Sequence, residues 1–336
     1  MNLNRRQFSA LATAGLCATP LHSVRAQGAT ITLKFGNSTP IDHPTNLRMR
    51  EVSEAVRKDS GGRVDLQIYP NGQLGSEPDM VSQVSSGAID MMSTSGAYLQ
   101  TRSPSAGING LAFAFKDYEA IWAALDGDVG NHVRAGLQKT GFFTFDKVFD
   151  MGYRHITTSG KPINTPADLA NFKIRVPPIP MYLSMFKVLG AAPTAIPVGE
   201  LYSSLQTRVV DGQENALVTI ETARLYEVQK CCSLTRHIWD GAFIVGNGKK
   251  FQTLPKEVKE MLSKHINAAV LKQREDIAKI NTDVQTRLTK AGIAFNSPDP
   301  LLFRKVLQDA GFYNEWKAKF GDELWGKLEK YTGRLA

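Results

Sequence analysis

The sequence predicts an α/β protein whose single chain builds two lobes of similar construction. Strand and helix patterns alternate twice along the chain, and the two stretches echo each other. Met80, Val81, Val84 and Ile89-Asp90 correspond to Leu201, Tyr202, Leu205 and Val210-Asp211 at a constant separation of 121 residues. A length of 336 residues suits two such units. Strand–helix–strand order implies parallel strands covered by helices.

The elements follow in order. Ile31, Leu33 and Phe35 alternate with Thr32 and Lys34, the period of a half-buried strand. A loop over Ser38–Pro44 leads to a helix from about Thr45 to Asp59, stopped by Gly61-Gly62. Val64, Leu66 and Ile68 alternate again before the Pro70-Asn71-Gly72 turn. A helix from about Glu77 to Ser85 then runs into a short buried strand over Ala88-Ile89-Asp90-Met91-Met92. The second set begins with Phe172, Ile174 and Val176 alternating with Lys173 and Arg175. A helix over about Met181–Leu189, an extended Thr194–Pro197 and a helix over about Glu200–Thr207 enter Val209-Val210-Asp211. After Pro255, Val258, Leu262, Ile266, Val270, Ile277, Ile280, Val284 and Leu288 keep near-helical spacing up to Gly292. Roughly 35 residues at about 1.5 Å each make a helix of about 50 Å, long enough to run across both lobes. The remainder reads as short helices finishing one lobe.

The first 26 residues have the layout of a cleavable export signal. Arg5 and Arg6 precede an apolar run from Ala10 to Ala18, and Val24-Arg25-Ala26 offers the cut. The paired arginines point to the twin-arginine route, with an ordinary secretory signal as the alternative. The run is shorter than the roughly 20 residues a bilayer span needs. Leu16 ahead of Cys17 argues against lipidation, where a small residue is wanted. Removing the three arginines of this segment lowers the formal net charge from +8 to +5. The remaining basic residues are scattered, without the dense stripe that nucleic-acid binding needs. Cys231 and Cys232 are the remaining cysteines; adjacent cysteines bridge only with strain, and nothing spaces them with histidines for zinc.

The common catalytic motifs are missing: no GxGxxG after a strand, no GxxxxGK[ST], no HExxH and no GxSxG. The six histidines share no ligand spacing. Binding therefore outranks catalysis, and neither metal nor cofactor is expected. Arg175 sits near a strand end, stiffened by Pro177-Pro178, where open α/β sheets bind ligands. A guanidinium held there can meet a carboxylate with two parallel hydrogen bonds. Arg154 lies in the extended run Gly152–Thr158 that leaves the first lobe for the second and so lines a cleft. Asp211-Gly212-Gln213-Glu214-Asn215 follows a buried strand, with Asn215 placed to face a ligand while Asp211 organises the turn.

Many ordered motifs then combine. They include Tyr69-Pro70 with Gln73-Leu74-Gly75, Gly87-Ala88-Ile89-Asp90-Met91, Lys173-Ile174-Arg175-Val176-Pro177 and Val210-Asp211-Gly212-Gln213-Glu214-Asn215. Arg154 with Thr157-Thr158-Ser159, Thr165-Pro166-Ala167-Asp168-Leu169, Glu200-Leu201-Tyr202 and Tyr226-Glu227-Val228-Gln229-Lys230 complete the set. From about residue 31 to 290 the chain resembles a substrate-binding protein of the tripartite ATP-independent periplasmic (TRAP) transporters, DctP type. The resemblance implies a two-lobe periplasmic-binding-protein fold with a hinge cleft and one long helix spanning both lobes. It implies that Arg175 clamps a ligand carboxylate, that Arg154 is a second contact and that Asn215 reaches the ligand.

The departures bear on the ligand. Ser95 stands near the position where sialic-acid-type members place a glutamate. Val198 replaces a frequent phenylalanine after Pro197, and Asp240 a frequent asparagine after Trp239. The expected ligand is a small organic acid: a sugar acid, a dicarboxylate, a 2-oxo acid or an aromatic acid. The expected division is residues 27–152 with about 240–280 in one lobe, and 153–239 with about 281–336 in the other. The expected protein is a periplasmic monomer that delivers its ligand to membrane TRAP permease subunits. An exported enzyme and a ligand-presenting sensor are the alternatives.

Overall fold

The computed structural model describes residues 30–336. The export signal read over residues 1–26, Cys17 included, lies outside the described residues. Ten strands form one sheet: β1 (Ile31–Gly36), β2 (Val64–Tyr69), β3 (Met91–Ser95), β4 (Phe142–Thr144), β5 (Phe149–Thr158), β6 (Lys173–Val176), β7 (Ala192–Ala195), β8 (Gly212–Ala216), β9 (Cys231–Asn247) and β10 (Ala294–Asn296). Along the main path the order is β2-β1-β3-β9-β5-β8-β6-β7, with β4 and β10 also pairing on β9. The two ends are parallel sets, β2-β1-β3 and β8-β6-β7. Between them β5 and β9 run antiparallel to each other, β5 to β8 and β9 to β3 and β4, while β10 lies parallel to β9. Over its 17 residues β9 pairs through Ser233 with β5 and β10 at one end, and through Ala242–Gly246 with β3 at the other. Two long strands therefore join two parallel half-sheets. β5 is bulged between Asp150 and Gly152, where Gly152 takes φ 95°, a region open to glycine at little cost.

The helices start where local chemistry starts them. Ser76 and Asp79 close a reciprocal capping box on the helix Glu77–Ser86. His43 caps Pro44–Asp59, whose apolar stripe (Met49, Val52, Val56) packs under β1 and β2.

The strands after the two echoing helices lie further along than their apolar residues suggest. Ala88-Ile89-Asp90 and Val209-Val210-Asp211 form turns, and β3 and β8 begin at Met91 and Gly212, again 121 residues apart. Both strands are fully buried yet polar, Ser93-Thr94-Ser95 in one and Gln213-Glu214-Asn215 in the other. Polar strand residues carry no hydrophobic period, so periodicity stops short of them.

The helix Lys256–Asn281 packs on Pro44–Asp59 in the first half and reaches Leu217–Thr222 in the second. Leu262, Ile266 and Val270 join Leu33 and Phe35 in one core, and Ile277 meets Ala216 and Val218. It is shorter than the continuous pattern up to Gly292 predicts. At Thr282 and Asp283 the backbone N–H groups turn to Lys279 and Ile280, three residues back instead of four. A separate helix, Val284–Lys290, then tips Val284 and Leu288 into a core with Leu201, Leu205 and Leu225.

The C-terminal helices contact both halves. Asp322–Thr332 rests on Tyr118–Leu125 and Asp128–Lys139, with the Tyr331 hydroxyl donating to Asp128. Pro300–Asp309 packs on Pro180–Val188. Phe312 and Trp316 of the helix Phe312–Phe320 and Trp325 of Asp322–Thr332 fill a core shared by both halves.

Candidate functional site

Two parallel half-sheets joined by crossing strands leave a crevice at their inner strand ends, where side chains have no helix to cover them. Arg175, Arg154, Asn215, Ser95, Asp240 and Val198 all line the one cavity there. Arg175 comes from β6, Asn215 from β8, Ser95 from the last residue of β3, and Arg154 and Asp240 from the crossing strands. Val198 opens the 3-10 turn before the helix Leu201–Gln206. The cavity measures about 70 Å³. One water needs about 10–15 Å³ on this scale, so there is room for about five to seven water-sized groups.

Lys173 and Arg175 share one face of β6, and only Lys173 is exposed; the Arg175 side chain is buried, 2% exposed. Its Nε donates to the Ile196 carbonyl at 2.7 Å, which fixes the plane of the fork. Among the described residues no carboxylate pairs with it. Burial pushes its pKa down to about 10, so it stays charged at neutral pH. A buried guanidinium with open Nη donors is complete only when an anion arrives.

Arg154 is differently placed. Its Nε and Nη2 grip the Glu214 carboxylate at 2.5 and 2.8 Å, Nη2 also reaches the Glu214 carbonyl, and Nη1 donates to Asp240 at 3.2 Å. His237 contacts the same Glu214 carboxylate at 3.1 Å. Burial would raise the Glu214 carboxyl, but Arg154 and His237 outweigh it and hold it at about 2. Burial lowers the pKa of His237. Arg154 thus enters the cavity with its charge already matched twice. The Ser95 hydroxyl donates to the other Asp240 oxygen at 2.6 Å, and burial still raises the Asp240 pKa. Asn215 gives one Nδ2 hydrogen to Gln213, which donates to Thr157, which donates in turn to Gln229, so a buried relay sets the amide's orientation.

Residues 35–310 match the family described as bacterial extracellular solute-binding protein, family 7, DctP. The chain belongs to this family. Among DctP relatives, the 2,3-diketo-L-gulonate-binding periplasmic protein YiaO of Escherichia coli is 32% identical over 90% of this chain and 89% of its own. A TRAP solute-binding protein of Roseobacter denitrificans, solved with β-D-glucuronate, superposes with a TM-score of 0.85 at 28% identity, covering 90% of this chain and 99% of that one. Another, from Sulfurospirillum deleyianum and solved with succinate, gives 0.84 at 25% identity over 90% and 99%. The two-lobe binding-protein fold is shared with them, and DctP proteins are receptors of TRAP transporters and not enzymes.

In this DctP protein the cavity holds residues that sequence reasoning passed over, Glu77 and Thr94 foremost. Glu77 opens its helix, is half-buried, and accepts from the Ser38 and Thr94 hydroxyls. Burial pushes its pKa up to about 7 against those two hydrogen bonds. The internal echo held the signal that finds both. At a separation of 121 residues Glu77 pairs with Val198 and Thr94 with Asn215, two positions already singled out. Asp211 lies beside the site and not in the lining; its N–H closes on the Lys173 carbonyl. Gly212 serves strand packing, since a Cβ there would lie 2.3 Å from the Thr157 carbonyl. Cys231 and Cys232 are buried free thiols, and among the described residues no His, Cys, Asp and Glu cluster could hold a metal.

Proposed function

We propose that this DctP receptor works in the periplasm, captures a small organic acid with Arg175 on its carboxylate, and delivers it to membrane TRAP permease subunits. The buried Arg175 guanidinium, held by Ile196 and matched by no protein acid among the described residues, carries this reading. Arg154 acts mainly by fixing Glu214 and Asp240, and Asn215, Ser95, Asp240 and Val198 complete the ligand's surroundings. The halves that close are residues 27–152 with about 240–280, and 153–239 with about 281–336, the last helices being tied to both. Closure about β5, β9 and the Lys256–Asn281 helix excludes water, so the ion pair strengthens in a lower effective dielectric. The paired arginines near the N-terminus support export, and among the described residues no helix is long and apolar enough to cross a membrane. The receptor acts as a monomer.

Thermal shift against a panel of organic acids tests this. A ligand at about 1,000 times its dissociation constant adds about 4 kcal/mol. At about 2–4 °C per kcal/mol that is a shift of roughly 8–16 °C. Arg175→Ala is expected to stay folded and lose the shift; a variant that keeps it removes the anchor from the mechanism.

A further inference from the structure

DctP membership leaves the ligand open, since one solved relative holds succinate, a dicarboxylate, and another glucuronate, a monocarboxylate rich in hydroxyls. The charges around this cavity discriminate between the two. Arg175 is the one cation in the lining that no described acid claims; Arg154 is occupied by Glu214 and Asp240. The same lining carries two carboxylates, the half-buried Glu77 and the buried Asp240. Neither is matched by a full cation of its own: Glu77 is held by the Ser38 and Thr94 hydroxyls, and Asp240 shares Arg154 with Glu214. An ionised carboxylate only accepts hydrogen bonds.

A second carboxylate on the ligand would therefore sit against like charges in a water-poor cavity, with no cation to receive it. A hydroxyl in the same place donates to Glu77 or Asp240 in a charge-assisted hydrogen bond and still accepts from Asn215 or a neighbouring hydroxyl. Resting on the reading of Arg175 as the carboxylate anchor, we propose that the ligand is a polyhydroxylated monocarboxylate, whose single acid group meets Arg175 and whose hydroxyls, not a second carboxylate, face Glu77 and Asp240. Ser95 contributes by orienting Asp240.

Calorimetric titration of the protein, dialysed free of co-purified ligand, tests this at pH 7.5 with matched acids. The hydroxy-monocarboxylates are D-erythronate and D-galactonate. Tartrate, galactarate and succinate place a carboxylate at both ends, and butanoate and hexanoate remove the hydroxyls. The tightest hydroxy-monocarboxylate is expected to bind at least about tenfold more tightly than the dicarboxylate and the hydroxyl-free acid of its own length. Glu77→Gln and Asp240→Asn, each checked for folding by circular dichroism, are expected to narrow the gap to the dicarboxylates.

A dicarboxylate that equals or beats the hydroxy-monocarboxylates in the parent protein overturns the proposal. So does an unchanged ratio in both folded variants. Arg175→Ala in the same panel separates the two levels. If it loses all binding while a dicarboxylate is the tightest parent ligand, the anchor stands and only the ligand class falls. If it binds like the parent, or no carboxylate in the panel binds the parent, the anchor reading falls and takes the ligand class with it.

Discussion

Glu77 and Val198 face one cavity from the first turns of two segments that begin 121 residues apart in the chain. One half of the protein presents a half-buried carboxyl at this position, the other a small apolar side chain. Equivalent places in two similar folds have thus become unlike walls of one site. Introducing a carboxylate at Val198 copies the first wall onto the second and brings another negative charge close to the anion that Arg175 awaits. Val198→Glu is expected to fold, because Val198 is only half-buried, and to weaken binding of any monocarboxylate by at least about tenfold. Val198→Gln, nearly the same shape without the charge, is expected to recover most of the loss in the same titration.

Arg175→Lys keeps the charge and removes the planar fork. The lysine cannot donate to the Ile196 carbonyl and to both carboxylate oxygens in the geometry Arg175 offers. Loss of one charge-assisted hydrogen bond, about 1.5–3 kcal/mol, corresponds to roughly 10–150-fold in affinity. Calorimetry beside Arg175→Ala measures it; an affinity equal to the parent's means that charge alone holds the ligand.

Glu77 makes stability depend on pH. Its folded pKa of about 7 lies above the ordinary 4.5, so between those values the folded state holds more proton than the unfolded state. Stability from this group is therefore fully present below about pH 4.5 and is lost as pH rises to about 7. The loss is of order 3 kcal/mol at most. Asp150, raised by burial from 3.8 to about 7, acts in the same direction, with its loss beginning near pH 4. Glu77→Gln is expected to flatten part of the fall, so the melting temperature of the variant relative to the parent climbs between pH 5 and pH 8. A constant difference across that range means that Glu77 titrates normally.

Gln273 fastens the long helix to the hinge strand. Its Oε1 accepts from the Asp150 N–H at 3.0 Å and its Nε2 donates to the Asp150 carbonyl at 2.7 Å, at a fully buried position beside the β5 bulge. Gln273→Ala leaves both backbone groups without partners, at about 1–3 kcal/mol each. Melting is expected to fall by several degrees. Gln273→Glu, its buried carboxyl protonated near pH 5, keeps the acceptor and offers one O–H in place of the amide N–H groups, and is expected to fall between alanine and the parent there. An alanine variant as stable as the parent would show that water replaces the amide.

Much of this architecture was legible because apolar period marks it. β1, β2 and the helices at Pro44–Asp59, Glu77–Ser86 and Pro180–Val188 all stand within about two residues of their predicted limits. The limits failed where polar residues are buried. Ser93–Ser95 and Gln213–Asn215 are strand, and their burial is satisfied by hydrogen bonds that reach distant positions such as Asp240 and Thr157. The break at Thr282 leaves no proline or glycine in the sequence; it follows from where Val284 and Leu288 find their core. Arg154 and Arg175 both reach the cavity, yet their unlike partners could not be read from two similar strand contexts. Only the fold shows that Glu214 and Asp240 turn to Arg154 and leave Arg175 open.

That difference separates the two arginines by experiment. Removing Arg175 takes away a buried cation that no described carboxylate balances, so Arg175→Ala is expected to melt near the parent temperature or above it when no ligand is present. Removing Arg154 strands Glu214, buried and ionised, and also takes the charge from beside Asp240. Breaking a buried pair from one side costs about 3–5 kcal/mol. Arg154→Ala is therefore expected to melt many degrees lower without ligand. Arg154→Met combined with Glu214→Met removes both charges at similar volume and is expected to recover much of that loss, a coupling that a double-mutant cycle reads directly. Equal melting temperatures for the two single alanine variants would mean that Glu214 finds another partner, and that Arg154 stands as free for a ligand as Arg175.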